Sequence, residues 1–291
     1  MSRALAIDIG GTKIEAGIVT VAGTVERRAR VASTDPKDAD ELFARVEAVV
    51  AEVRVDDEPE LVCGVGCGGP MRLGGTAVSP LNIGVWRDFP LRDRVHAATG
   101  LDTYVDNDAK ALALAEGWRG AAVGVRDYVG MVVSTGVGGG IVLGGRLLDG
   151  ADGNAGHIGH VVVEPDGFDL PGHARGVLEA EASGTAIAAR LGVPAAEAPE
   201  AERRRAGTVV GRAVGSVANL LDLKLAVVAG SVALGFGEPF FEAAQAEVDR
   251  VATLQHSTGA RIVPAALGAD GPLIGAAAVG LRGIGQDVGV S

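Results

Sequence analysis

The chain has 291 residues, 47% of them hydrophobic and 22% charged, and a formal net charge of −11 at pH 7. That length holds two domains of ordinary size with a substantial core, and the balance excludes a disordered chain. The negative charge argues against long-range attraction to nucleic acid or an anionic membrane surface, because the longest run of basic residues is only Arg203-Arg204-Arg205. Two cysteines, Cys63 and Cys67, make neither a disulfide framework nor a four-ligand metal set. No apolar run approaches the ~20 residues of a membrane span and no signal-like segment precedes the first strand, so a cytoplasmic protein is expected.

Residues 4–8 predict a strand that breaks at Gly10-Gly11-Thr12-Lys13, and residues 14–20 resume as a strand. At this hairpin tip Asp8 is placed to hold a hydrated Mg²⁺, and the Gly10 and Gly11 amides to face phosphate oxygens. An ordinary Gly-Gly hairpin with Lys13 on the surface is the plainer alternative. The spacing of a Walker A loop is absent. A third strand is expected over residues 24–32, then a helix opened by Asp35-Pro36 with Leu42, Val46, Val49, Val50 and Val53 on its apolar face. Residues 60–65 read as a strand running into Gly66-Cys67-Gly68-Gly69-Pro70. Asn82 follows in a loop, then Trp86 and Phe89 as packing groups, then a helix over 91–98.

A short strand over 103–105 ends at Asp106-Asn107-Asp108. Asn107 is expected to cap a helix through Trp118, with Asp108 in the first turn, where the dipole favours its ionised form. A carboxylate at such a junction suits a general base for a hydroxyl, although simple capping explains it as well. Residues 128–133 and 141–143 read as paired strands, which makes Ser134-Thr135-Gly136-Val137-Gly138-Gly139-Gly140 a hairpin tip able to offer N–H groups to an anion. A second dense loop, Gly153-Asn154-Ala155-Gly156-His157-Ile158-Gly159-His160, sets two imidazoles three residues apart. Further on, helices are expected over 178–191, with Glu179 in its first turn, and over 208–221, with a solvated helix over 196–205 between them. A strand over 226–229 runs into Gly230-Ser231, where a following helix could receive an adenosine or phosphate group. A last strand spans 261–264 and an Ala-rich helix 271–281.

In this order the motifs resemble the ROK sugar kinases over nearly the whole chain. Asp8-Ile9-Gly10-Gly11-Thr12-Lys13 matches the first phosphate motif, Asn107-Asp108-Ala109 the sugar-plus-base motif, and residues 134–140 the second phosphate motif. Residues 153–160 resemble the signature loop, Leu178-Glu179-Ala180 with Ser183-Gly184 the element after it, and Ala229-Gly230-Ser231 the adenosine loop. The resemblance implies an α/β, actin-like (ribonuclease H-like) ATPase fold with two lobes and the active site in their cleft. It places the smaller lobe at residues 1–118, with the helix near 272–291 packing back on it, and the larger at 119–271.

The same resemblance implies the chemistry and the residues that carry it. ATP donates a phosphoryl group to a hexose 6-hydroxyl, with Mg²⁺ supported indirectly by Asp8 and with Asp108 as the base. Asp8, Gly10, Gly11, Thr12, Lys13, Thr135, Gly136, Gly138, Gly139, Gly230 and Ser231 bind the nucleotide. Gly69, Asn82, Asn107, Asp108, His157, His160 and Glu179 bind the sugar. The implied assembly is a homodimer, with a sugar and a nucleotide as its partners.

Two departures matter. Where most of the family has three zinc-binding cysteines, an ungapped alignment here gives Leu170, Gly172 and Val177, so no structural zinc is expected; apolar packing of Leu170 and Val177 is expected to fix His160 instead. His157 stands where glucokinases of the family usually carry Glu, and Ala155-Gly156-His157-Ile158-Gly159-His160 resembles the bacterial N-acetylmannosamine kinases. A neutral imidazole can donate as well as accept, which suits an acetamido carbonyl. Glucose, with ATP or polyphosphate as donor, is the alternative. A sugar-responsive repressor is disfavoured by the net charge and by the seven residues before Asp8.

Overall fold

The computed structural model describes residues 2–55 and 59–291. Two compact units divide the chain: Met1–Gly124, Arg146–Ala155 and Leu267–Ser291 form the first, Val125–Gly145 and Gly156–Ala266 the second.

The first unit is built on a sheet of β1 (Arg3–Ile9), β2 (Lys13–Thr20), β3 (Val25–Ala32), β4 (Cys63–Cys67) and β5 (Thr103–Asn107), in the order β3-β2-β1-β4-β5. The hairpin β1–β2 and the β2–β3 pair are antiparallel, whereas β4 and β5 run parallel to β1. Strands β1 and β4 are buried almost throughout, as central strands covered on both faces must be, and β3 alternates like an edge strand. Helix α1 (Ala39–Val53) lays Leu42, Phe43, Val46, Val49, Val50 and Val53 on this sheet. Its start corrects the expected Asp35-Pro36 cap. Asp35 has a left-handed φ of 52°, and Asp38 is the N-cap, accepting the Glu41 N–H at 2.9 Å while Glu41 accepts the Lys37 N–H at 2.6 Å. Trp86 is fully buried and stacks on Phe89 at 4.4 Å, ahead of α2 (Leu91–Thr99). Strand β5 runs two residues further than expected and passes directly into α3 (Asp108–Arg119).

The C-terminal helix, Gly271–Gly283, crosses β4 and β1 at very short range. A Cβ on Gly64 would lie 1.9 Å from the Ala276 carbonyl oxygen, and one on Gly280 2.8 Å from the Gly64 nitrogen. Only glycine at both places permits this approach.

The second unit repeats the device. β6 (Tyr128–Val133) pairs antiparallel with β7 (Val137–Leu143) and parallel with Leu225–Ala229, which in turn pairs parallel with Arg261–Pro264. Its core is separate, formed by residues such as Val129, Met131, Val210, Val214, Phe240 and Val248. Three expectations are corrected here. The glycines at 138–140 are not a tip but ladder residues of β7, opposite Val132, Met131 and Gly130, so the turn itself is residues 134–136. The helix expected over 178–191 is two, α4 (Leu178–Ala182) and α5 (Gly184–Leu191), because Ser183 has extended backbone and its side chain caps α5 through the Ala186 N–H at 3.0 Å. The charged segment from Glu200 onward is the first part of one long helix, α6 (Glu200–Leu221), in which Glu202 is buried against Arg190 and Arg205.

Candidate active site

In the first unit the carboxyl ends of β1, β4 and β5 lie side by side, with Asp8 opposite Gly66 and Gly66 opposite Asp106. Open α/β sheets bind ligands at such strand ends, where successive chains turn away. Asn107 caps α3 by accepting the Ala109 N–H at 3.0 Å, and Asp108 Oδ1 accepts the same N–H at 2.8 Å. A Cβ on Gly66 would sit at ordinary contact distance, 3.6 Å, from Asp8 Oδ1, Asp108 Cα and Ala111 Cβ, so this position of β4 lies directly between the two acidic residues.

Their electrostatics differ from the sequence expectation. Burial pushes the Asp8 carboxyl up to about 7; the charge of Asp108 adds to this and Lys13 opposes it. Burial likewise raises Asp108, against the lowering effect of the Ala109 N–H. Lost hydration outweighs the helix N-terminus, which corrects the reading of Asp108 as readily ionised. Both groups are stronger proton acceptors than an exposed carboxylate.

The first hairpin tip is only partly open. The Gly10 N–H closes the turn on the Lys13 carbonyl at 2.9 Å, which corrects the expectation that it faces phosphate. The Gly11 and Thr12 N–H groups have no partner among the described residues. The Lys13 ammonium is engaged by Glu15 at 2.6 Å, and Glu15 also meets Arg28 at 3.1 Å. A Cβ on Gly11 would lie 2.8 Å from Asn82 Cβ, so this tip rests directly on the Asn82 loop. Gly69 accepts the Leu81 N–H at 3.1 Å, and Asn154 clasps the backbone of Met71 through both amide atoms, at 3.0 and 2.8 Å.

Sequence reasoning missed Lys110. It is buried on α3 and donates to Asp106 at 2.9 Å, to Asp149 at 2.8 Å and to the Gly153 carbonyl at 3.3 Å. The i,i+4 spacing of Asp106 and Lys110 was the available signal. Cys63 and Cys67 lie buried in β4; burial pushes the first thiol up to about 12 and the second well above its ordinary value, so both are inert.

In the second unit the turn between β6 and β7 is braced from two sides. Ser134 Oγ lies 2.9 Å from Ser231 Oγ, and the Ser134 carbonyl accepts the Gly184 N–H at 2.7 Å. Thr185 Oγ1 donates to the Thr135 carbonyl at 2.9 Å, a contact no single motif announced. Gly230, at φ 102°, brings the backbone so close that a Cβ would be 2.2 Å from the Val133 carbonyl oxygen. Thr135, Gly136, Gly230 and Ser231 therefore share one corner. Gly138 and Gly139 lie back along β7, where a Cβ on Gly139 would touch Ile158 at 3.0 Å. Beneath that strand His157 and His160 have ring centroids 6.0 Å apart, and burial pushes the His157 pKa down, with His160 adding and Glu179 opposing. Glu179 Oε2 accepts the Val137 N–H at 2.6 Å. Leu170 and Val177 pack with Ala180 and Ala186, and the His160 ring lies against His173 rather than in that apolar cluster.

Each unit carries a glycine-turned β-hairpin beside parallel strands, and the pair defines an α/β protein of the actin-like ATPase type. The ROK family pattern matches residues 4–282, and the chain belongs to the ROK family. It is 37% identical over 252 residues, 81% of this chain and 86% of the relative, to the N-acetylmannosamine kinase of Yersinia pseudotuberculosis. A ROK family glucokinase from Streptomyces griseus, in complex with glucose and AMPPNP, superposes with a TM-score of 0.84 at 28% identity, covering 97% of this chain and 100% of that one. The ROK hexokinase of Thermus thermophilus does so with a TM-score of 0.81 at 30% identity, over 97% and 99%.

Proposed function

We propose that this chain, a sugar kinase of the ROK family, transfers the γ-phosphoryl group of ATP to the 6-hydroxyl of N-acetylmannosamine. The observation that carries the reaction is Asp108 held at the β5–α3 junction, next to Gly66 with Asp8 on that glycine's other side, and with its carboxyl raised by burial. A base of this kind accepts the hydroxyl proton as the oxygen attacks the phosphorus. We assign sugar binding to Asn107, Asn82 and Gly69 in the first unit and to His157, His160 and Glu179 in the second. The nucleotide's phosphates are assigned to the Gly11 and Thr12 N–H groups in the first unit and to Thr135, Gly136, Gly230 and Ser231 in the second.

The residues present fit a nucleotide-borne Mg²⁺. Asp8 lies at the carboxyl end of β1 with its carboxyl raised chiefly by burial, and carboxylate oxygen is the ligand this ion prefers. When bound, Mg²⁺ supplies positive charge to the phosphate oxygens. Asp8 stands at the strand end that would support it.

N-acetylmannosamine is favoured by His157, whose lowered pKa keeps the ring neutral near pH 7 and able to donate to an acetamido carbonyl. The 37% identity to the Yersinia enzyme supports the same substrate. Glucose is the second reading, supported by the likeness to the Streptomyces glucokinase. A coupled assay over glucose, mannose, N-acetylglucosamine and N-acetylmannosamine, with ATP and then polyphosphate, tests both. The expected outcome is the highest kcat/KM for N-acetylmannosamine with ATP; a glucose value roughly ten times higher, about 1.4 kcal/mol of transition-state stabilisation, reverses the order.

A further inference from the structure

In the second unit the Glu179 carboxylate is gripped at both oxygens. Val137 N–H donates to Oε2 at 2.6 Å, and His173 Nε2 lies 2.7 Å from Oε1, which as a carboxylate oxygen accepts from a ring N–H. A carboxylate has about four acceptor positions, so one on each oxygen remains for a ligand. His173 is itself held in place. Its backbone N–H donates to the Leu170 carbonyl at 3.0 Å, and Leu170 is buried with Val177, Ala180 and Ala186. The His173 ring also lies nearly parallel to that of His160, with 13° between planes and centroids 6.3 Å apart. One imidazole thus touches two side chains that serve the sugar. It stands on the turn where the sequence has no thiolate, at a position to which the motifs assign no role.

We propose that His173 is a positioning residue for sugar binding: it locks the Glu179 carboxylate in the rotamer that accepts sugar hydroxyls and backs the His160 ring. The proposal rests on the sugar-kinase reading. A carboxylate free to rotate must be ordered anew each time the sugar binds, so the loss falls on sugar affinity and leaves nucleotide affinity alone.

The test compares wild-type enzyme with His173→Ala, His173→Phe and His173→Gln, taking KM for each substrate, kcat and Tm. Loss of the donor in His173→Ala raises the sugar KM roughly tenfold and leaves the ATP KM within about twofold. His173→Phe keeps the ring without the donor and shows the same loss, which covers the case in which the alanine variant does not fold. His173→Gln restores most of the affinity through its amide donor. In a Glu179→Gln background, His173→Ala adds nothing further. A sugar KM unchanged in His173→Phe overturns the proposal, as does a matching rise in both KM values that Gln does not rescue. Wild-type enzyme that phosphorylates none of the four sugars overturns the kinase reading itself, and this proposal with it.

Discussion

At the residue scale, the proposed chemistry rests on two carboxylates. Asp108→Asn removes the proton acceptor but keeps the side chain's shape and its acceptor for the Ala109 N–H. It should lower kcat by roughly 10³-fold while leaving the sugar Kd, measured by calorimetry, within a small factor. Because the proposed reaction needs these groups deprotonated and burial raises both, kcat/KM should fall as pH drops below about 7, the value to which Asp8 is pushed. An unshifted carboxylate would give that limb near pH ~4. Asp8 also carries a stability consequence. Its carboxyl ionises at an ordinary value of 3.8 in the unfolded chain and at about 7 in the fold, so the fold binds the proton more tightly. Stability from this group is complete below about pH 4 and is lost as pH rises through about 7, by roughly 4 kcal/mol in the absence of ligand. Asp8→Asn should therefore raise Tm at pH ~8 and abolish turnover, which thermal melts and the coupled assay measure together. A Tm lowered by the substitution under those conditions would contradict the assigned burial cost.

At the scale of elements, the site is held by close approaches and by one buried cation. The C-terminal helix touches β4 through Gly64 and Gly280, where no Cβ fits, and β4 carries Gly66 between Asp8 and Asp108. Gly64→Ala forces the helix off the strand. It should cost about 2–3 kcal/mol or prevent folding, read as a Tm loss of several degrees or as insoluble protein. Gly84→Ala, in open space, serves as the control and should leave Tm unchanged. The Lys110 network ties α3 to residues 149 and 153, so the helix that begins at Asp108 and the loop holding Asn154 share one anchor.

At the scale of the whole molecule, the net charge of −11 disfavours binding to polyanions. The one arginine run is engaged internally. Arg204 pairs with Glu200 and Glu242, Arg205 with Glu181 and Glu202, and Arg203 donates to the Ala198 carbonyl. The protein should pass unretained through heparin at about 0.1 M salt and neutral pH; tight retention would contradict this reading of its charge.

Much of this was readable along the chain, because strand–glycine–strand patterns, N-caps and motif order are local properties of consecutive residues. Both hairpins and the Asn107 cap came from those local signals, and the fold class from the resemblance that the ordered motifs carry. Fine boundaries were not readable there: Asp38 rather than Asp35 caps α1, and Ser183 divides α4 from α5, since hydrogen-bond geometry and not propensity chooses between adjacent candidates. Tertiary structure alone decided which groups lose their hydration and which partners they meet. The raised carboxyls of Asp8 and Asp108, the commitment of Lys13 to Glu15, and the grip of His173 on Glu179 all arise that way. Burial and long-range pairing depend on which parts of the chain come together, and no window of neighbouring residues records that.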